Sequence, residues 1–198
     1  MFSATPFLGH HYQSAEQKQD HARNMEEACI KGAGVIDFVA NWHVRATAYM
    51  KQNPTIKTAL VSTNSITQGE QAGILWSRLI EEGVKINFAH RTFQWSSEAK
   101  GIAAVHCVIV GFALSSSSSA KKVIFEYETP KSDPFPVPAS NINPYLANGP
   151  DIVVRNLSKP ISDVPAMKWE ISQPTEATSF FSLEKKNCFK RNLSQRNL

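Results

Sequence analysis

Three histidines near the start, His10, His11 and His21, are the first side chains in this sequence that could ligate a metal. Their spacing matches no strong ligand template, so no metal is expected. His43 falls in a mixed apolar stretch, where a histidine satisfied within a core is the usual outcome. The cysteines Cys29, Cys107 and Cys188 are odd in number and far apart, which suggests neither a disulfide framework nor a paired-cysteine zinc site and fits a reducing cytoplasm. No nucleophile stands at a recognisable spacing from a base, which argues against a small-molecule hydrolase. Two groups remain. Ser62, Thr63, Asn64 and Ser65 follow a short apolar run and read as the loop at a strand end, where capping of the next helix explains the polarity as readily as ligand binding does. Phe93 and Trp95 are large rings in the otherwise polar segment Arg91 to Gly101.

The elements that must position these groups follow from periodicity. Gln13 to Glu27 is polar and suits a surface helix. Ile36, Val39, Ala40, His43, Ala46, Thr47 and Met50 recur at spacings of three and four, predicting a helix that Asn53-Pro54 ends. Thr58 to Ser62 reads as a buried strand, Ile74, Leu75, Leu79 and Ile80 mark a second such helix, and Gly83 precedes an alternating strand from Val84 to His90. Ala103 to Phe112 is the most apolar strand and must be covered on both faces. The serines Ser115 to Ser119 suggest a flexible joint, and Val123 to Glu128 a short edge strand. Beyond Thr129 the many prolines leave no sustained periodicity, and Glu184 to Leu198 is a basic, polar tail. The 198 residues, 42% hydrophobic and 19% charged, allow one domain with a tail; 21 basic against 17 acidic residues tolerate a polyanion without demanding one. No stretch is long and apolar enough for a membrane helix.

Three segments together resemble the adenine-specific DNA methyltransferases of large bacterial restriction-modification proteins, the group in which methylase and nuclease are often fused. They are Thr5-Pro6-Phe7-Leu8-Gly9 with Tyr12-Gln13-Ser14, the run from Ala59 to Gln71, and Phe88 to Trp95 with Glu98-Ala99. A fourth, Asn141 to Leu146 with Gly149-Pro150-Asp151, is similar to a part of the group lying beyond the catalytic core. The resemblance covers roughly residues 4 to 169.

The resemblance implies a chemistry. Adenine's exocyclic amine is a poor nucleophile, so these enzymes hold its N–H bonds with an Asn or Asp side chain and the next carbonyl, while an aromatic ring stacks on the base swung out of the duplex. The matching positions are Ala4, Thr5, Pro6 and Phe7: the ring is kept and the Thr5 carbonyl can still accept, but Ala4 has no acceptor. Losing one preorganised hydrogen-bonding group of this kind costs on the order of 10² to 10³ in rate. The resemblance also places Phe93 or Trp95 on the other face of the base, with packing against a neighbouring helix expected of the remaining ring, and puts Ser62, Thr63, Asn64 and Ser65 beside the target pocket.

The implied fold is α/β: a partial class I, Rossmann-like methyltransferase with a mostly parallel sheet, one antiparallel strand and an irregular Pro-rich arm. Residues 1–114 would be the C-terminal half of the catalytic domain, 115–120 a linker, 121–183 the arm leading toward a target-recognition region, and 184–198 a basic tail. The strand order expected is Thr58–Ser62, Ala103–Phe112, Val84–His90, with an open edge on the first. The implied cofactor is S-adenosylmethionine, although Gly32 and Gly34 around an alanine do not make its glycine-rich turn. The implied partner is double-stranded DNA in a bacterial cytoplasm. The chain is expected to be inactive alone; the alternative is a non-catalytic DNA-binding or assembly fragment that complements a separate N-terminal methyltransferase half.

Overall fold

The computed structural model describes residues 2–4, 7–95, 105–119, 121–154 and 162. The chain divides into two compact units, Met1–Asn156 and Leu157–Leu198, and every element named below belongs to the first. Thr5, Pro6, the segment 96–104 with Glu98 and Ala99, the arm from 155 to 183 apart from Ser162, and the basic tail 184–198 lie outside the described residues.

Helix α1 (Ala15–Glu27) begins where Ser14 and Gln17 cap each other: the Gln17 N–H donates to Ser14 Oγ at 3.2 Å, and the Ser14 N–H to Gln17 Oε1 at 2.9 Å. That exchange satisfies two donors a helix start leaves open. Helix α2 (Ala40–Gln52) buries His43, Val44, Thr47 and Met50 on one face, while Ile36 and Val39, expected inside it, are buried in the turn ahead of it. Strand β2 (Lys57–Thr63), helix α3 (Gly69–Glu81) and strand β3 (Val84–Trp95) follow.

With β1 (Phe2–Ala4), β4 (Val105–Leu114), β5 (Lys122–Glu126) and β6 (Phe135–Ala139), they build a six-stranded sheet of order β1-β2-β4-β3-β5-β6. The insertion of β4 between β2 and β3 is the order expected from the sequence. Two other expectations are corrected. The sheet is mixed: β4 and β6 both run against the other four strands, which makes the β2–β4, β3–β4 and β5–β6 pairings antiparallel. The edge of β2 is also not open, since Phe2, Ser3 and Ala4 pair in parallel with Ala59, Leu60 and Val61.

Nor is β5 an edge, because β6 covers it. Pro136 and Pro138 lie opposite Phe125 and Val123, and Val137 opposite Ile124. Prolines two apart place both missing N–H groups on the outer side, so β6 can pair inward but not outward, and the sheet stops there. The region expected to lack regular structure beyond Thr129 is therefore ordered into a strand and a clasped loop as far as Val154. Ile142 and Leu146 are buried in the core, and a polar clasp holds the loop: Lys85 Nζ donates to Asp151 at 2.6 Å, Asn141 Nδ2 to Asp151 at 2.7 Å, and Lys122 Nζ to Asn141 Oδ1 at 2.9 Å. The serine run lies inside this unit; Ser117 Oγ donates to the Pro54 carbonyl, and Ser118 Oγ and the Ser119 N–H both donate to Asn87 Oδ1.

Both faces of β4 are covered. On one, His43 stacks on Phe112 at 5.6 Å and Trp76 meets it edge-on at 6.3 Å, tying α2 and α3 to the sheet. On the other, the Phe88 ring lies so close over Gly111 that a Cβ there would fall 2.1 Å from Phe88 Cε1. Among the described residues no helix is long and apolar enough to cross a membrane.

Candidate functional site

Because β1, β2 and β3 run in one direction, their carboxyl ends, at Ala4, Thr63 and Trp95, share one end of the sheet beside the start of β4. In α/β sheets the crevice outside the carboxyl ends of parallel strands is where ligands bind. Two of the segments singled out in the sequence, the loop after β2 and the aromatic end of β3, thus lie at the end of the sheet where β1 also ends at Ala4. Thr5 and Pro6 fall outside the described residues, and Phe7 is half-buried.

The residue that joins the first two segments carries no signal in the sequence. Asp37 is a lone carboxylate in the turn before α2, and its side chain is 13% exposed. Its Oδ1 accepts the His10 N–H at 2.9 Å, with the His10 ring 3.4 Å away, and its Oδ2 accepts Ser65 Oγ–H at 2.7 Å. The Asp37 N–H donates to Gln71 Oε1 at 3.1 Å, and the Phe38 N–H to the Leu8 carbonyl at 3.0 Å. Thr63 Oγ1 and Ser65 Oγ lie 2.8 Å apart, which extends the network to the end of β2. Burial pushes the carboxyl pKa up, but the hydrogen bonds it accepts from Ser65, the His10 N–H and the Gln71 and His10 side chains outweigh it, and the group sits below the ordinary carboxylate range.

The loop Ser62–Ser65 does not cap α3. Residues Asn64–Thr67 form a 3-10 turn, and α3 starts after Gln68 without a side-chain cap. Its hydroxyls serve the Asp37 network instead. Ser62 differs from its neighbours: it is fully buried on the face of Leu60, and its Oγ has no hydrogen-bond partner among the described residues.

Phe93 and Trp95 stand on β3 rather than in a loop, since the strand runs five residues beyond His90. Phe93 stacks on Tyr127 at 5.6 Å and meets His90 at 6.5 Å. His90 in turn lies flat on Phe125 at 4.2 Å, with Nδ1 2.8 Å from the Tyr127 hydroxyl. The packing expected against a helix is therefore packing against the rings of and just after β5. Trp95 remains 43% exposed, tilted 6.3 Å from Phe93. Burial lowers the His90 pKa and raises that of Tyr127, so both stay neutral near pH 7. Cys107, opposite both Thr63 and Phe93, has its thiol pushed up to about 11 by burial, which removes it as a nucleophile at this end of the sheet.

The early histidines are dispersed. His10 faces Asp37, and His11 is exposed against His10 at 3.8 Å. His21 joins a buried network with Asn41 Nδ2 at 2.8 Å and the Ala33 carbonyl at 3.1 Å, Asn24 completing it through Asn41 Oδ1 at 2.7 Å. Among the described residues no three His, Cys, Asp or Glu side chains are grouped to hold a metal.

This sheet order, with its loops gathered at the carboxyl end, agrees with a match of residues 1–126 to the family described as "MmeI, DNA-methyltransferase domain": the chain belongs to that methyltransferase family of restriction-modification enzymes. It is 39% identical over 167 residues to DNA methyltransferase A of Bacillus subtilis (strain 168), covering 84% of this chain and 18% of that protein. It is also similar to the structure of the Type IIL restriction-modification enzyme MmeI in complex with DNA, with a TM-score of 0.80 and 45% identity over 96% of this chain and 25% of that one. The chain thus spans about a fifth of the curated relative and a quarter of the MmeI chain. The family expected from the sequence is the family found.

Proposed function

We propose that this chain forms the target-base side of a DNA adenine-N6 methyltransferase domain of class I, Rossmann-like architecture, which moves a methyl group from S-adenosylmethionine to an adenine swung out of duplex DNA. The observation that carries the reading is that β1, β2 and β3 end at the same end of the sheet, where the segment after Phe7 and the Ser65 loop are tied to the same turn and β3 carries Trp95. Trp95 is the better ring for the second face of the base, because Phe93 is already stacked on Tyr127. Stacking on such a ring is worth roughly 1 to 3 kcal/mol per base. Of the acceptors for the adenine amine, this chain offers the Thr5 carbonyl, and Ala4 offers none.

The residues described do not fit the methyl donor. Gly32 and Gly34 flank Ala33 between α1 and α2 instead of following a strand, so no strand, glycine-rich turn and helix is present among them to grip a nucleoside. No step through the donor is assigned to them. One observation favours the assembly reading: among the described residues β1 pairs only with β2, and its other side is an edge that a strand of another polypeptide could join.

The test is tritiated methyl transfer from S-adenosylmethionine to bacterial DNA, with the chain alone and mixed with the N-terminal half of DNA methyltransferase A. Label on adenine N6 in the mixture, lowered by Phe7→Ala and raised about 10²-fold by Ala4→Asn, is the expected result. Label on cytosine, or a mixture indifferent to both substitutions, would overturn the reading.

A further inference from the structure

We infer that Asp37 is a positioning residue for this site: its carboxylate locks the segment that carries Phe7 onto the loop at the end of β2, and so sets the stacking ring relative to the Thr63–Ser65 hydroxyls. The inference rests on the target-base reading for its purpose, but its geometry stands independently. The backbone after Phe7 is held at two points by consecutive residues, the Leu8 carbonyl by the Phe38 N–H at 3.0 Å and the His10 N–H by Asp37 Oδ1 at 2.9 Å. The second carboxylate oxygen takes Ser65 Oγ–H at 2.7 Å, so one side chain spans two loops that lie 27 and 28 residues from it along the chain. The turn that presents the carboxylate is itself fixed, because Ile36 and Val39 on either side are fully buried and Gln71 of α3 accepts the Asp37 N–H. A buried anchor carrying a short, two-pronged acceptor transmits position with little slack, since an aspartate has only two rotatable side-chain bonds.

The chemistry makes a distinction between substitutions. Asp37→Ala removes both acceptors and frees the two loops from each other. In Asp37→Asn one amide oxygen still accepts the His10 N–H, and the NH₂ can donate to Ser65 Oγ, whose own hydroxyl hydrogen turns to Thr63 Oγ1; the network survives with one bond reversed. A role in positioning therefore predicts loss in the alanine variant and rescue in the asparagine variant, whereas a requirement for the negative charge predicts loss in both.

Two measurements on the full chain test this. In the first, amide hydrogen exchange followed by mass spectrometry compares wild type with Asp37→Ala and Asp37→Asn. Faster exchange confined to peptides covering 7–13 and 62–68 in the alanine variant, with wild-type protection in α1, α3 and β4 and in the asparagine variant, is expected. Unchanged protection in both peptides overturns the inference, as does loosening throughout the fold, which would mark Asp37 as a general stabiliser. In the second, a single-stranded oligonucleotide of thymidines with one central 2-aminopurine is titrated by fluorescence, since an unpaired base needs no extrusion from a duplex. Asp37→Ala is expected to weaken binding by roughly tenfold to 100-fold, the scale of a misplacement near 1 Å, and Asp37→Asn by less than about threefold, with Phe7→Ala as the reference for a lost ring. Binding lost on Phe7→Ala but kept in Asp37→Ala overturns the inference. Selective loop release with no 2-aminopurine binding by any variant upholds the positioning and overturns the target-base reading instead.

Discussion

His43 makes the stability of this fold depend on pH between 6.5 and about 4. The ring is fully buried between α2, which carries it, and the rings of Phe112 and Trp76, and among the described residues both ring nitrogens lack a hydrogen-bond partner. Burial lowers its pKa from 6.5 to about 4; the Val39 carbonyl, one turn earlier in the chain, pulls slightly the other way without reaching hydrogen-bond geometry. The sign follows directly. The folded protein holds the neutral ring, the unfolded chain takes up a proton as pH falls below 6.5, and so stability is complete above 6.5 and is lost between 6.5 and about 4. The full drop corresponds to roughly 3 kcal/mol, and about 2 kcal/mol of it is spent by pH 5. Asp37 and Asp151, whose pKa values are lowered from 3.8, contribute outside this window, since their stabilisation is lost only below it. Urea unfolding at pH 7 and pH 5, followed by tryptophan fluorescence, should show wild type losing about 2 kcal/mol or more, while His43→Leu loses about 2 kcal/mol less than wild type over the same interval. At pH 7 the leucine variant should be as stable as wild type or more so, because two unsatisfied buried nitrogens are removed. Equal losses in both proteins would refute the reasoning.

Gly111→Ala should destabilise by about 1 to 3 kcal/mol, because its Cβ would enter the Phe88 ring, and Phe88→Leu should recover part of that loss in a double-mutant cycle measured by thermal unfolding. Asp151→Ala should release the 141–154 loop, seen as protease cleavage there ahead of global unfolding, with a stability cost of about 1 to 3 kcal/mol; in the wild type the same release is expected on acidification, since a lowered carboxyl pKa gives stability that is present above 3.8 and lost below it. Trp95→Ala should leave the unfolding midpoint nearly unchanged and weaken 2-aminopurine binding, whereas Phe93→Ala should lower the midpoint through its lost contact with Tyr127; the opposite pattern would exchange the two roles.

Most of the elements, though not β1 or β6, and the family were legible in the amino-acid sequence. Spacings of three and four placed α2 and α3, alternation placed β3, the apolar run at 103–112 announced a strand covered on both faces, and the segments around Phe7, Ser62 and Phe93 carried the methyltransferase resemblance. These are local properties: period, burial demand and turn chemistry are written within a dozen residues. Local pattern also misleads in places. Prolines at 136 and 138 look like loop punctuation, although their spacing of two suits an outer edge strand. Five serines suggested slack, yet the Pro54 carbonyl and the Asn87 side chain, both remote in sequence, hold the run in place. What only the tertiary structure decided depends on chain segments meeting across distance. The fold occupied the edge of β2 with β1, covered β5 with β6 and clasped the loop after it, separated the packed ring of Phe93 from the exposed one of Trp95, and recruited Asp37, whose importance lies wholly in partners at positions 10, 65 and 71. A single carboxylate has no period and no motif; its role comes from which donors the fold brings to it.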